Sequence, residues 1–309
     1  MAKIIGPGSC NVDLTGYADH LPIGGETAVG DLIRTSPGGK GSNQMIAAHM
    51  SGSEALLIAR IGDDALSSCL HDFYDSKGFP KKYVKVGKGE NTGTAIIEID
   101  KTDAQNRILI IRGANMTLSE SDVLAAEFDF ADADVVLTQL ETADEPIVAA
   151  AKLAKKYGKP FILNPAPYRP LTDELLSMVD YITPNETEAE YLTGVAINSV
   201  DDAKVAAGKL LSMGVKNVII TLGVNGAYYT DGKDHIHVSG IKVKAVETTG
   251  AGDAFNGGFA TALGEGRDVE SALQFANCTA AISVTRLGAA ESMPNRAEID
   301  EFMNTYYGK

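Results

Sequence analysis

Short apolar runs alternate with amphipathic stretches from about residue 114 onward. The runs that predict buried strands are Val135–Leu137, Phe161–Leu163, Tyr181–Thr183 and Val218–Ile220. Two stretches between them have helical spacing. One opens on Thr142-Ala-Asp-Glu145, a capping-box pattern, and ends at Gly158, and the other covers Asp201–Met213. Alternation of this kind predicts an α/β protein, a Rossmann-like sandwich of a parallel sheet with helices on both faces.

The first third of the chain has a different pattern. Residues 11–37 and 87–112 lack long helical periodicity, and Thr92–Ile99 and Arg107–Ile111 flank the polar turn Asp100–Asn106 as the strands of a hairpin would. A helix at Ser42–Met50 and a strand at Ala55–Ile61 separate these two regions. We therefore predict a main α/β domain formed by residues 1–10, 38–86 and 113–309. Residues 11–37 and 87–112 would form a small β-sheet that closes over a site, decorates the domain or joins two copies of the chain.

Composition restricts the functional classes. The chain has 309 residues, 44% of them hydrophobic, and a formal net charge of −14, which argues against a general basic surface for nucleic acid or anionic membranes. No run approaches the ~20 apolar residues of a membrane span. Cys10, Cys69 and Cys278 are too widely spaced for a disulfide framework or a zinc site. Because the N-terminus has the pattern of a first strand and not of an export signal, we expect a cytoplasmic protein.

A glycine-rich turn, Gly250-Ala251-Gly252, leads into a stretch with helical spacing that ends near Gly264. A helix that starts from such a turn directs free N–H groups and its positive dipole end at one point, which suits a phosphate. Asp253 at that point would repel a phosphate unless it takes a proton from an attacking hydroxyl. On this segment alone, an ordinary helix cap explains Asp253 equally well.

A second glycine cluster, Pro37-Gly-Gly-Lys-Gly-Ser-Asn-Gln44, also opens a helix, with Ser42 or Asn43 as its expected cap. Glycine lets the backbone approach a ligand closely, and asparagine offers both donors and acceptors to sugar hydroxyls. The cluster is neither a dinucleotide fingerprint nor a P-loop. Taken alone, a turn followed by a cap accounts for it.

These clusters belong to an ordered set of motifs that resembles the ribokinase-type carbohydrate kinase family. The set consists of Asn11-Val-Asp13, Gly38–Gln44, Gln139-Leu-Glu141, Asn164-Pro-Ala-Pro167, Thr183–Glu188, Thr221-Leu-Gly223, Thr248–Asp253 and Ala280–Pro294. It covers nearly the whole chain. The resemblance implies transfer of the γ-phosphoryl group of ATP to the primary hydroxyl of a sugar, with O5 of D-ribose as the first candidate.

The resemblance also assigns roles to residues of this chain. Asp253 would be the base, and the N–H groups of Gly250, Ala251 and Gly252 would hold the charge on the transferred phosphoryl group. The residues implied for the sugar are Asn11, Asp13, Gly39, Lys40, Asn43, Glu141 and Asp253. The residues implied for ATP are Asn185, Thr221, Gly223, Gly226, Gly252 and Asn277.

Two metal ions are implied in the same way. Glu188 would lie near Mg²⁺, although Asn185 and Glu188 also have the spacing of a capping box, and both explanations stay open. A monovalent cation, K⁺, would lie near a set of mainly backbone ligands at Glu247, Thr249, Ser283, Arg286, Gly288 and Ser292. The chain departs from the family at Glu247, where relatives usually carry Asp, and the longer side chain displaces the charge by about one methylene.

The sequence thus predicts a cytoplasmic sugar kinase that uses ATP and Mg²⁺ and forms a homodimer through the small β-sheet. Its partners would be a small-molecule sugar and ATP, without nucleic acid or membrane. Alternatives are a kinase of the same fold for deoxyribose, a ketose, 2-keto-3-deoxygluconate or a nucleoside, and a non-catalytic sugar sensor. Asp253, directly after the glycine turn Gly250–Gly252, favours an enzyme, because a sugar sensor needs no base at this position.

Overall fold

The structure is a computed structural model that describes residues 1–102 and 105–308. The strands are β1 (Lys3–Pro7), β2 (Asn11–Ala18), β3 (Gly30–Gly38), β4 (Glu54–Gly62), β5 (Tyr83–Gly87), β6 (Gly93–Asp100), β7 (Asn106–Ile111), β8 (Val135–Thr138), β9 (Phe161–Leu163), β10 (Tyr181–Ile182), β11 (Asn217–Thr221), β12 (Ala227–Thr230) and β13 (His235–Val238). The helices are α1 (Lys40–Met50), α2 (Ser67–Ser76), α3 (Glu120–Leu124), α4 (Glu127–Asp132), α5 (Asp144–Tyr157), α6 (Asp173–Leu176), α7 (Glu186–Thr193), α8 (Val200–Ser212), α9 (Ala251–Gly264), α10 (Val269–Ser283) and α11 (Arg296–Tyr307).

The larger sheet has the strand order β13-β12-β11-β10-β9-β8-β1-β4-β5. Its strands from β11 to β5 are parallel, and β12 and β13 add an antiparallel edge. Ile4 and Ile5 belong to two different hydrophobic clusters, one on each face, as side-chain alternation along a strand requires. Helices therefore cover both faces, which confirms the predicted α/β sandwich.

The small sheet has the order β3-β2-β6-β7. Strand β2 pairs with β3 in antiparallel and with β6 in parallel orientation, and β6 and β7 form the predicted hairpin. Residues 103–104 of its expected turn lie outside the described residues. The small sheet meets the main body where Asn11 pairs with Gly38, so its first strands lead directly into the second glycine cluster. The predicted domain boundaries stay a prediction.

The strand predictions of the main body agree with the structure to within a residue at each end, but two predicted helix starts are wrong. Helix α5 has Ala143 as its N-cap without a capping side chain. The Thr142 hydroxyl donates instead to the carbonyl of Ala143, so the expected capping box does not form. The second wrong start, that of α1, bears on the site and is described below. Within the described part of the chain, no helix is both long and apolar enough to cross a membrane.

Candidate active site

Asp253 lies in the first turn of α9, whose N-cap is Gly250 with φ 80°. It is therefore not the cap of its helix. Its side chain is buried, with 5% of the residue exposed. Oδ2 accepts a hydrogen bond of 2.9 Å from Asn43 Nδ2, and Oδ1 accepts one of 3.0 Å from Gln44 Nε2. The carboxylate is consequently held from a different helix, α1.

The close crossing of α1 and α9 depends on Gly257, one turn after Asp253. A Cβ placed on Gly257 would lie 2.5 Å from Ala47 Cβ and 2.5 Å from the carbonyl oxygen of Gln44. Any larger residue would therefore push the helices apart. The glycine allows Asn43 and Gln44 to reach the carboxylate.

A network of buried amides and hydroxyls supports Gln44. Gln44 Nε2 also donates to Asn164 Oδ1 over 3.0 Å, and Gln44 Oε1 accepts from Gln139 Nε2 over 2.6 Å. Asn164 Nδ2 donates to the carbonyl of Thr183, whose hydroxyl donates to Asn256 Oδ1. Such networks fix side-chain orientation when their members are satisfied. Most of these residues lie in the quoted motifs, yet the sequence assigned none of them a role.

Glu141 follows β8 and holds the start of α1. Its Oε2 accepts the backbone N–H of Lys40 over 2.9 Å and the hydroxyl of Ser9. Helix α1 therefore starts at Lys40 with Gly39 as N-cap, and the prediction that Ser42 or Asn43 caps it is wrong. A carboxylate from a distant strand supplies the missing acceptor. Asn43 thus lies within the helix, where its side chain is available to Asp253.

Asn11 begins β2 and is held by a residue that the sequence did not single out. Asn115 Nδ2 donates to Asn11 Oδ1 over 2.7 Å, and Asn115 Oδ1 accepts the backbone N–H of Cys10 over 2.8 Å. Asn11, Asn115 and Glu141 line one cavity of about 170 Å³, together with Ile110, Arg112, Leu140 and Pro167. Burial raises the pKa of the Cys10 thiol to about 12, in accord with a small buried apolar residue and not with a nucleophile.

Asp13 and Lys40 lie in the field of several carboxylates. Burial, followed by the charges of Glu141, Asp253 and Glu247, raises the pKa of Asp13 to about 7. The nearby charge of Asp253 is the largest influence on Lys40 and raises its pKa. Among the described residues, Lys40 Nζ makes no ion pair or hydrogen bond, so its charge is available to a ligand.

A second cavity, of about 150 Å³, lies at the start of α9. Its lining includes Lys40, Asn164, Thr183, Asn185, Glu188, Thr221, Thr248, Gly250, Ala251, Gly252, Asp253 and Asn256. The structure thus brings the glycine turn together with the predicted ATP residues Asn185 and Thr221 and the predicted metal residue Glu188. An N–H-rich helix end beside an ammonium group suits the phosphates of a nucleotide.

The capping box of α7 forms as predicted. Asn185 N–H donates to Glu188 Oε2 over 3.0 Å, and Glu188 N–H donates to Asn185 Oδ1 over 2.8 Å. Burial raises the pKa of Glu188 and outweighs the effect of the Asn185 N–H. No hydrogen bond of the described residues involves the other carboxylate oxygen, Oε1. A single carboxylate on this cavity would suit Mg²⁺, which requires few protein ligands, so capping and metal binding are compatible.

A third, largely apolar cavity of about 560 Å³ adjoins the glycine turn, since Thr248 and Ala251 line both. Its other lining residues are Gly223, Val224, Gly240, Ile241, Lys242, Val243, Ala245, Asn277, Ala280, Ala281 and Val284. The predicted residues Gly223 and Asn277 are therefore placed together on a surface suited to a planar base. Gly226 does not line it. A Cβ on Gly226 would lie 2.0 Å from the carbonyl oxygen of Val238.

The residues predicted for a monovalent cation lie at the C-terminal end of α10, where Ser283 is its last residue, and on two adjoining loops. Glu247 Oε2 accepts the backbone N–H of Gly288 over 2.8 Å, which ties the loops together. The Arg286 guanidinium pairs with Glu298, and the Ser283 carbonyl accepts the Arg286 N–H. Ser292 donates to the carbonyl of Ala289. Thr249 makes no side-chain hydrogen bond to another described residue.

The described residues contain no group of three or more His, Cys, Asp or Glu side chains that could hold a metal ion. Backbone carbonyls would therefore have to supply most ligands of such a site.

Comparisons with known proteins place the chain in one family. The family described as pfkB family carbohydrate kinase matches residues 1–296. The chain is 41% identical over 297 residues to a ribokinase of Haemophilus influenzae, covering 96% of each protein. It is 36% identical over 298 residues to a deoxyribokinase of Salmonella typhi, covering 96% of this chain and 97% of that protein. The structure of an Arabidopsis thaliana ribokinase complexed with ribose and ATP has a TM-score of 0.91 and 34% identity, covering 98% of this chain and 99% of that one.

Proposed function

Because the chain belongs to the pfkB family of carbohydrate kinases, we propose that it transfers the γ-phosphoryl group of ATP to O5 of D-ribose, with Asp253 as the base. One observation carries this proposal. The carboxylate of Asp253 lines the cavity of the glycine turn and is held by Asn43 and Gln44 from the helix that Glu141 anchors. A sugar hydroxyl and a phosphate can therefore both reach it.

In the proposed reaction, Asp253 takes the proton of the primary hydroxyl as the sugar oxygen forms a bond to the γ-phosphorus. The bond from that phosphorus to the bridging oxygen of ADP breaks, and the electrons leave with ADP. The N–H groups of Gly250 to Gly252 hold the charge of the transferred group. Lys40, whose Nζ has no ion-pair or hydrogen-bond partner among the described residues, adds positive charge on the same cavity. Mg²⁺, held through Glu188 and the phosphates, would neutralise further phosphate charge.

The sugar side of the site offers acceptors and donors to a polyol. Asn43 Oδ1 is buried and has no hydrogen-bond partner among the described residues, an arrangement that costs free energy unless a ligand donates to it. Asn11, Asp13 and Glu141 can accept further hydroxyl protons. The relatives named for ribose favour ribose. The similarity to a deoxyribokinase makes 2-deoxyribose the second candidate.

The small sheet is the proposed cover of the sugar site and the proposed dimer interface. Several of its apolar side chains are more than half exposed, among them Leu32 at 61%, Ile33 at 71%, Ile108 at 57% and Leu109 at 61%. Leu32 and Ile108 lie on one face of the sheet, and Ile33 and Leu109 on the other. Large apolar side chains exposed in this number suit a protein–protein contact. A second copy of the chain is the proposed occupant, and a cytoplasmic location is proposed because ATP is the phosphoryl donor.

The test is ADP release from MgATP with D-ribose, 2-deoxyribose, fructose, 2-keto-3-deoxygluconate or adenosine, with and without K⁺. We expect ribose to be turned over with the highest kcat/KM, and K⁺ to raise the rate. A higher kcat/KM with another sugar would replace ribose and leave the mechanism intact. An absence of turnover with every substrate would overturn the kinase mechanism in favour of a sugar sensor.

A further inference from the structure

An ion pair joins the small sheet to the main body beside the candidate site. The Arg34 guanidinium of β3 contacts Glu291 Oε2, and the side chains are 28% and 38% exposed. Among the ion pairs of the described residues, it is the one that links these two parts of the molecule. The other pairs that involve the small sheet, at His20 and Lys101, remain within it.

On the side of the small sheet, Arg34 is tied to the proposed sugar ligands by strand pairing. Arg34 pairs with Thr15, Ser36 with Asp13, and Gly38 with Asn11. Directly opposed residues of paired strands share a face, and alternate residues of one strand do so too. Arg34 therefore lies on the same face as Asp13 and Asn11. A shift of Arg34 would move the strands that carry both ligands.

On the side of the main body, Glu291 belongs to a short segment, Gly288–Glu291, that touches the glycine turn. A Cβ on Gly288 would lie 2.6 Å from Glu291 Oε2 and 2.8 Å from Arg34 NH2, so the ion pair rests directly on this backbone. Ala289 of the same segment packs on the turn, since a Cβ on Gly250 would lie 3.0 Å from Ala289 Cα. Gly250 is the N-cap of the helix that carries Asp253.

We propose that Arg34 and Glu291 are positioning residues that hold the small sheet in its seated position over the sugar and fasten it to the segment that supports the glycine turn. The inference rests on the proposed function and goes beyond it, since neither residue contacts a reacting atom. The pair acts through the strands that carry Asn11 and Asp13. Its loss should therefore weaken sugar retention more than the phosphoryl-transfer step.

The test compares Arg34→Gln, Glu291→Gln and the charge-reversed double variant Arg34→Glu/Glu291→Arg with the wild type at saturating MgATP. For a partly exposed pair, we expect each single variant to raise the sugar KM by about threefold to fivefold. The expected kcat stays within about twofold of the wild-type value, because the transfer step is not touched. The double variant should return the KM towards the wild-type value. The exposed pair Lys152–Glu174, at 3.4 Å in the main body, is the matched control, and its reversal should leave the KM unchanged.

Ionic strength supplies a readout that a merely structural role would not produce. When the ionic strength is raised with tetramethylammonium chloride, the sugar KM of the wild type should increase. The sugar KM of the two Gln variants should stay constant, because only the wild type has an ion pair that salt can screen. An active enzyme whose sugar KM is the same in all variants, or whose double variant is no better than the singles, overturns the inference alone. A wild type that turns over no sugar overturns the proposed function and the inference with it.

Discussion

Gln44 donates a hydrogen bond of 3.0 Å from Nε2 to Oδ1 of Asp253. The same amide nitrogen donates to Asn164 Oδ1, and Gln44 Oε1 accepts from Gln139. Both N–H groups and the oxygen of Gln44 are thus engaged, so its orientation is determined. Asp253, the proposed base, is therefore oriented mainly by residues of α1. Gln139 and Asn164, which follow β8 and β9, support this orientation through Gln44.

Replacing Gln44 with Met should lower kcat by about tenfold to hundredfold. The variant keeps the volume but removes a hydrogen bond to a carboxylate, which contributes about 1.5–3 kcal/mol. The sugar KM should change less, because Gln44 is not among the proposed sugar ligands. Steady-state kinetics with the preferred sugar measure both values.

Ser53→Ala is the control for that change. It removes a buried hydrogen bond of 3.0 Å from Ser53 to Thr261. This bond joins the segment after α1 to α9, as the bonds to Asp253 join α1 to α9, but it does not involve Asp253. We expect a lower melting temperature and an unchanged kcat. Equal losses of kcat in Gln44→Met and Ser53→Ala would show that Gln44 acts only through stability.

Gly257→Val should damage both stability and turnover. Its side chain would meet the backbone of Gln44 and the methyl group of Ala47, at an expected cost of about 1–3 kcal/mol in the free energy of unfolding. The displaced α1 would also withdraw Asn43 and Gln44 from Asp253. Denaturant unfolding and kcat measure the two effects.

Gly208→Ala is the matched control on an exposed position of α8. No atom lies within 4 Å of its added Cβ. Alanine in place of glycine within a helix should raise the free energy of unfolding by about 0.5–1 kcal/mol, and kcat should not change. A Gly257→Val protein with wild-type kcat would contradict the importance of the helix crossing.

Sugar affinity should depend on pH through Asp13. Its pKa is raised to about 7, so the carboxylate is ionised above that pH and protonated below it. Hydroxyl groups that donate to the ionised form favour it, so affinity is present above pH 7 and lost as the pH falls. The dissociation constant should therefore rise as the pH falls below 7, by at most about tenfold for each pH unit.

Calorimetric titration between pH 8 and pH 5.5 measures this dependence. Asp13→Asn should bind the sugar more weakly, and its dissociation constant should no longer rise as the pH falls below 7. A wild-type constant that stays flat across the range would show that Asp13 does not bind the sugar as a carboxylate.

The sequence predicts the parts of the fold that depend on the pattern of neighbouring residues. Val135–Leu137 and Phe161–Leu163 are fully buried strands, and a continuous apolar run is enough to indicate them. The capping box at Asn185 is equally local, because its donors and acceptors lie within one helical turn. The hairpin β6–β7 follows from alternation on either side of a polar turn.

The parts that the sequence does not predict depend on contacts between distant segments. The start of α1 is set by Glu141, 101 residues from Lys40, and nothing in the local pattern of residues 37–44 indicates that acceptor. Asn115 supports Asn11 across 104 residues, again without a local signal. Helix ends and buried polar networks are satisfied by whichever group the fold brings near, so a single sequence does not reveal them.

The central claim, that Asp253 is the base of a sugar kinase, is tested most directly by Asp253→Asn. The replacement should be tolerated because Asn43 Oδ1, which has no hydrogen-bond partner among the residues that the structure describes, can rotate towards the new amide. Sugar-dependent ADP release and calorimetric sugar binding are measured on the same preparation. We predict that kcat falls by about 10²–10⁴-fold, the contribution of a positioned general base, while sugar binding persists. Turnover at the wild-type rate in Asp253→Asn would contradict the account.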